Sequence, residues 1–165
     1  MGEICTIGYE GAAVEDFFAT LRLAKIDLVL DIRELPVSRR RGFSKGALAA
    51  ALEAEGIGYE HLKGLGNPKE GRDAAKLGRF EEFVAIFAAH MQTEAAHADL
   101  EKALGLVSGK QACLLCYERD FRACHRNIVS ERISGITGQT VRNLGVRNGT
   151  ARELARKEIQ LAAYA

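Results

Sequence analysis

The chain has almost no charge of one sign to spare: its 165 residues carry 23 Lys and Arg against 22 Asp and Glu, a net charge of +1. A domain that coats nucleic acid non-specifically shows a strong basic excess, and this total disfavours that class. No apolar run approaches the roughly 18 residues that span a bilayer, so no membrane is expected among its partners. No basic patch followed by a long apolar stretch marks a secretory signal. Internal repeats, linkers and low-complexity segments are also missing. What remains is 47% hydrophobic residues, too many for a disordered chain, in a length that suits one domain spanning residues 1–165. Such a domain can bury a core without help from disulfides or a structural metal. Its four cysteines, Cys5, Cys113, Cys116 and Cys124, are therefore read as thiols in a reducing, cytoplasmic compartment. Met1-Gly2 with Thr6 matches the short myristoylation pattern, but the same residues read more simply as the start of a strand.

Along the chain the hydrophobic period switches between two and 3.6 at Gly-bearing joints, which predicts a three-layer α/β/α domain around a mainly parallel sheet of about five strands. Strands are expected at Glu3–Tyr9, Asp27–Arg33, Ile57–Leu62, Lys110–Tyr117 and Thr140–Val146. Helices are expected at about 14–24, 45–55, 79–92, 94–107, 122–134 and 150–163, with Ser44, Thr93 and Thr150 as caps. The stretch containing Gly64, Gly66 and Pro68 reads as a loop.

Open parallel sheets bind ligands beyond the carboxyl ends of their strands. Here those ends are followed by Gly8-Tyr9-Glu10-Gly11, by the run Arg33 to Lys45, by His61 and Lys63, and by Glu118-Arg119-Asp120. The neutral total breaks up along the chain: residues 1–32 carry −4, residues 33–45 carry +4, residues 46–118 carry −4 and residues 119–165 carry +5. Parallel topology brings both basic blocks to one rim, which points to an anionic partner, a small molecule or a nucleic acid. Arg33, Arg39, Lys45 and Arg126 are candidate anion ligands, with Ser38 as a further donor. Tyr9 and His61 are candidate pocket residues, and Pro36 and Gly42 suggest a shaped turn between them.

The richest stretch is Ala112-Cys113-Leu114-Leu115-Cys116-Tyr117-Glu118-Arg119-Asp120-Phe121-Arg122-Ala123-Cys124-His125-Arg126, and it admits three readings. Cys113-x2-Cys116 has zinc spacing, yet in a continuing strand those two positions face opposite sides. Cys116, Glu118, Cys124 and His125 are the more coherent metal set. Cys116-x5-Arg122 has the spacing of a thiolate-and-arginine oxyanion loop, but Tyr117 to Phe121 is bulky and carries two acids where such loops are small and glycine-rich. In the third reading a helix opens near Cys124, with Asp120 a possible cap. Phe121, Ile128 and Ile136 then share its apolar face, and His125 points at the sheet near Cys116 and Glu118. Cys116, Glu118 and His125 are then candidate catalytic residues, a nucleophile or an acid/base couple.

The ordered set Thr6-Ile7-Gly8-Tyr9-Glu10-Gly11, Asp31-Ile32-Arg33 with Pro36, Ser38 and Arg39, Gly42-Phe43-Ser44-Lys45, Tyr59 and His61, and Leu115-Cys116-x-Glu118 followed by Cys124-His125-Arg126 resembles the bacterial and archaeal domain of unknown function 488 family. The resemblance covers most of the chain and implies a small cytosolic single-domain protein, without implying a reaction. Cys113 and Arg122 lie outside that motif, and Asp120-Phe121 stands where the family often has Asp-Pro. The expectation is an enzyme acting on a phosphorylated, nucleotide-like or nucleic-acid substrate. A non-catalytic nucleic-acid-binding module and a metal-binding protein are the alternatives; no cofactor is assigned.

Overall fold

A computed structural model of the chain describes residues 2–164, so Met1 of the myristoylation-like pattern lies outside the described residues. The described chain runs β1 (Glu3–Gly8), α1 (Val14–Leu23), β2 (Leu28–Asp31), α2 (Lys45–Ala54), β3 (Gly58–His61), α3 (Lys69–Lys76), α4 (Phe80–His90), α5 (Glu94–Val107), β4 (Ala112–Cys116), α6 (His125–Thr137), β5 (Thr140–Leu144) and α7 (Thr150–Ala163). Single 3-10 turns precede α3 at Lys63–Leu65 and α6 at Phe121–Ala123. No helix among the described residues is long and apolar enough to cross a membrane.

All five strands are parallel, in the order β3-β2-β4-β1-β5. The central strands are apolar on both sides because helices cover both faces. Cys5, Ile7, Val29, Cys113 and Leu115 pack with Phe17, Leu21, Leu48 and Leu52 of α1 and α2. Ile4, Leu28, Leu30, Ala112 and Leu114 pack with Phe83, Phe87, Leu100, Ala103, Val129 and Ile133 of α4, α5 and α6. This is the expected three-layer α/β/α arrangement. From β1 the chain crosses over β4 to reach β2, whereas from β4 it crosses over β1 to reach β5. The loops leaving the adjacent ends of β1 and β4 therefore diverge to opposite faces and leave a crevice between them.

Two expected caps are built differently. Ser44 precedes α2, but its hydroxyl makes no cap bond to the helix. It accepts from the Ser38 amide at 3.0 Å and donates to the Ser38 carbonyl at 3.2 Å, which closes the loop between Pro36 and Lys45. Thr150 is the first residue of α7 rather than its cap. The cap comes from the buried Asp16 of α1, whose carboxylate accepts from the amides of Gly149 at 3.1 Å and Ala151 at 2.9 Å. Thr93 caps α5 as expected, accepting from Ala96 N–H at 3.2 Å.

The largest difference is α3, which lies where a loop was expected. The start of α6 also lies later than expected: Asp120 caps the 3-10 turn, while Cys124 caps α6 through its sulfur. With the helix beginning at His125, its buried face is His125, Arg126, Val129, Ser130 and Ile133. Ile136, expected inside, is exposed.

Candidate functional site

The crevice at the strand ends is a cavity of about 590 Å³. The loop after β1 contributes Tyr9. Arg33, Leu35, Ser38, Arg39 and Arg40 come from the segment after β2, and Cys116, Tyr117 and Glu118 from the end of β4. His125 opens α6, and Asn67, Arg72 and Lys76 come from α3 and the residue before its cap.

At the floor, β4 ends on Cys116 and the alternation of its side chains sends Cys116 and Glu118 to the same side. Cys113, three residues back, is fully buried in the opposite layer, so the Cys113-x2-Cys116 pair cannot share a ligand. Cys116 Sγ lies 2.7 Å from Glu118 Oε2, and Cys124 Sγ lies 3.3 Å from the same oxygen. His125 Nδ1 faces both sulfurs, at 3.6 Å from Cys116 and 3.7 Å from Cys124. Its other nitrogen, Nε2, lies 2.7 Å from the carbonyl of Ile32, and since a carbonyl only accepts, Nε2 carries the proton. Phe87 packs edge-on against the imidazole at 5.3 Å and holds its plane.

The protonation of this cluster follows from its burial. Desolvation pushes the Cys116 thiol up, although a hydrogen bond with Cys124 offsets part of that, and it pushes Cys124 well above the ordinary thiol range. Both are thiols at neutral pH. Burial acts to raise Glu118 too, but hydrogen bonds from Cys116, its own amide and Cys124, with the charge of His125, outweigh it and hold the carboxylate below its ordinary pKa. For His125 burial acts downward, while Cys124 and the Ile32 carbonyl win and leave it above its ordinary value. Glu118 is thus the fixed negative charge of the floor.

A carboxylate held below its unfolded pKa stabilises the fold above that pKa and stops doing so as the pH falls through its folded value. His125 has the opposite sign, contributing below its unfolded pKa and losing that contribution as the pH rises through the folded one. Glu118→Gln is therefore expected to cost about 1 kcal/mol at pH 7. The deficit should shrink as urea unfolding is repeated at descending pH through the ordinary carboxylate range. A deficit equal at every pH would refute the charged role.

Other residues expected at the site act as framework. Arg33 is buried and bidentate to Asp31, at 2.9 and 2.7 Å, and its remaining donors reach Tyr9 Oη at 3.1 Å and the Phe43 carbonyl at 2.7 Å. Asp31 also accepts from Tyr59 Oη at 2.6 Å. Arg126 is only 1% exposed, does not line the cavity, and donates to Thr6 Oγ1 at 3.1 Å and to the carbonyls of Glu118 and Arg119, which fixes the turn carrying Glu118. His61 donates from Nε2 to the Arg33 carbonyl at 2.7 Å, and Lys45 is exposed; neither lines the cavity. Arg122 turns outward onto Asp120 at 3.0 Å with its side chain 76% exposed, so no thiolate-and-arginine loop forms.

Tyr9, Ser38 and Arg39 do line the cavity. Tyr9 stacks on Phe43 at 4.4 Å and meets Tyr117 edge-on at 5.3 Å. Ser38 is engaged with Ser44 and with the amide of Arg40. Arg39 and Lys76 are exposed at the mouth, and neither makes an ion pair among the described residues. Arg72 is braced by Glu34 at 2.5 Å and by the Asn67 carbonyl at 2.8 Å. Sequence reasoning missed Arg72, Lys76 and Asn67 because it missed α3. Pro68 before a run with Glu70 in its first turn and Lys76 in its last was the available signal.

The match to a family model with the description "Domain of unknown function DUF488" spans residues 13–133, most of the chain. The chain belongs to the domain of unknown function 488 family. The matched segment runs from the residue before α1 into α6 and so takes in Cys116, Glu118, Cys124 and His125. No curated protein and no solved structure matches the chain.

Proposed function

We propose that this member of the domain of unknown function 488 family is an enzyme acting on a phosphorylated, nucleotide-like substrate, a free nucleotide or a nucleic-acid end. The observation that carries the reading is the meeting of Cys116, Glu118 and His125 on the floor of one cavity whose mouth holds Arg39, Arg40, Arg72 and Lys76. Forked guanidinium donors suit phosphate oxygens. Between floor and mouth, Leu35, Val37 and Tyr117 are 58%, 76% and 45% exposed, an apolar wall against which a flat ring can lie. The phosphate binds at the mouth, the ring lies on this wall, and the reacting centre reaches the floor. There Glu118 accepts a proton, with the Cys116 thiol within hydrogen-bonding range of it and the imidazole of His125 facing the same sulfur. Arg33, Arg126 and His61 position the loops. The four free, buried thiols suit a reducing compartment, and a cytoplasmic location belongs to the same proposal.

The test is binding of a panel of nucleoside mono-, di- and triphosphates and short oligonucleotides. Arg39→Ala is expected to weaken the best binder at least about tenfold, the loss of one charge-assisted contact, with an unchanged circular dichroism spectrum. Cys116→Ser is expected to leave binding in place and abolish turnover. A panel with no binder would overturn the reading. Oligonucleotide affinity that falls steeply with salt and no turnover in the wild-type protein would replace the enzyme by a binding module.

A further inference from the structure

We infer that Cys116, Cys124 and His125 form a binding site for one divalent transition metal ion, zinc by its donor set, with Glu118 as the fourth donor. The site shares Cys116, Glu118 and His125 with the proposed active site, but it stands on donors and geometry and not on what fills the cavity.

The three donor atoms lie within 4.8 Å of one another, and all three residues are buried. Around a tetrahedral zinc, a thiolate sulfur about 2.3 Å from the metal and an imidazole nitrogen about 2.0–2.1 Å from it stand about 3.5–3.6 Å apart. His125 Nδ1 lies 3.6 and 3.7 Å from the two sulfurs, so these edges of the tetrahedron are already in place. Glu118 Oε2 is 3.3 Å from Cys124 Sγ, close to the matching sulfur–oxygen edge. At 2.7 Å from Cys116 Sγ it lies inside that edge and backs away by somewhat under about 1 Å to ligate.

The surroundings are those that metal ligands need. A ligating histidine donates its second N–H to a fixed acceptor, which sets the tautomer and aims the free lone pair. The Ile32 carbonyl does this to Nε2 at 2.7 Å and Phe87 fixes the ring plane. The Arg126 amide points at Cys124 Sγ from 3.5 Å, an N–H donor to the sulfur that remains when the thiol proton is gone. Burying two sulfurs, an imidazole nitrogen and a carboxylate around one point is costly unless a cation or protons satisfy them. On binding, both thiol protons leave to solvent, and two thiolates with one carboxylate compensate the dication. Two thiolates and one imidazole select zinc over the oxygen-seeking magnesium and calcium. Cys116, Glu118 and His125 face the cavity, so the metal opens onto it, whereas Cys124 lies behind the wall.

The experiment is a metal count on the reduced, untagged full chain after incubation with zinc and exhaustive dialysis, together with the absorption spectrum of the cobalt-loaded protein. One equivalent of zinc per chain is expected, with a thiolate-to-cobalt charge-transfer band and tetrahedral d–d bands. Cys124→Ser is expected to weaken zinc binding by more than about a hundredfold and to diminish that band. Cys5→Ser should change neither. Only trace zinc in protein whose four thiols titrate as free, or a band unaltered by Cys124→Ser, would overturn the site. If Cys124→Ser fails to fold, the wild-type count decides alone. A failed nucleotide panel with stoichiometric zinc removes the substrate reading and leaves the metal; the reverse result removes the metal only.

Discussion

Gly8→Ala is expected to lower the stability of the protein by about 3 kcal/mol, the upper range for forcing an extra carbon into a packed interior. Gly8 ends β1 opposite Cys116 of β4. A Cβ at this position would stand 1.8 Å from the carbonyl oxygen of Glu118 and 2.9 Å from Arg126 Nη1. The first clash is with backbone, and that backbone cannot retreat freely. The Glu118 carbonyl accepts from Arg126, Arg126 is also held by Thr6, and the Glu10 amide donates to the Tyr117 carbonyl at 2.8 Å on the same turn. For a chain of this length the loss corresponds to a fall in Tm of roughly 6–12 °C. The same displacement carries Glu118 away from the two sulfurs, so the acid-dependent component of stability assigned to Glu118 should vanish in this variant as well. A Tm within a degree or two of wild type would show that the turn is not pinned.

The role of Gly8 was visible only as part of a motif; what makes glycine necessary there is a carbonyl from a residue more than a hundred positions later. The same holds for much of the site. Cys116, Glu118 and His125 could be brought together from the sequence because a period of two places the first pair on one side of a strand, and parallel topology places the start of the next helix beside it. The five strands were legible for a similar reason, since residues such as Leu28 to Leu30 and Ala112 to Leu115 form short apolar runs between turns. α3 was not, because Lys69 to Lys76 offers only Ala74 and Ala75 as apolar positions and is held by packing, with Ala74 buried against the α4–α5 layer. Arg33 and Arg126 were legible as cations, but not as occupied ones. Charge at a rim is a sequence property, whereas the carboxylate or carbonyl that absorbs it is a tertiary one. Of the expected cations Arg33, Arg39, Lys45 and Arg126, the basic mouth consequently keeps Arg39 and adds Arg40, Arg72 and Lys76, the same sign supplied partly by different residues.

Asp31→Asn is expected to cost about 3–5 kcal/mol, the loss typical of breaking a buried ion pair from one side. Asp31 is fully buried and Arg33 is 5% exposed. Burial alone would ease the proton off Arg33, but the hydrogen bonds and charge of Asp31 more than reverse this and hold the guanidinium charged. With an amide at position 31 that charge has no counterion, while the bonds to Tyr9 Oη and the Phe43 carbonyl still tie it in place. Arg33→Met leaves the opposite orphan, a carboxylate that keeps only Tyr59 Oη at 2.6 Å and the residue 33 amide at 3.1 Å. In the double variant neither charge is stranded, so its loss should be smaller than the two single losses together by more than about 2 kcal/mol. Additive losses would mean that the pair is not a unit. Tyr9 lies over the guanidinium at 5.3 Å, so the double variant should also loosen the cavity wall. Ligand affinity should then fall through the position of Tyr9 without the change in salt dependence that removal of a cation touching the ligand would bring, which separates Arg33 from Arg39 in one titration series.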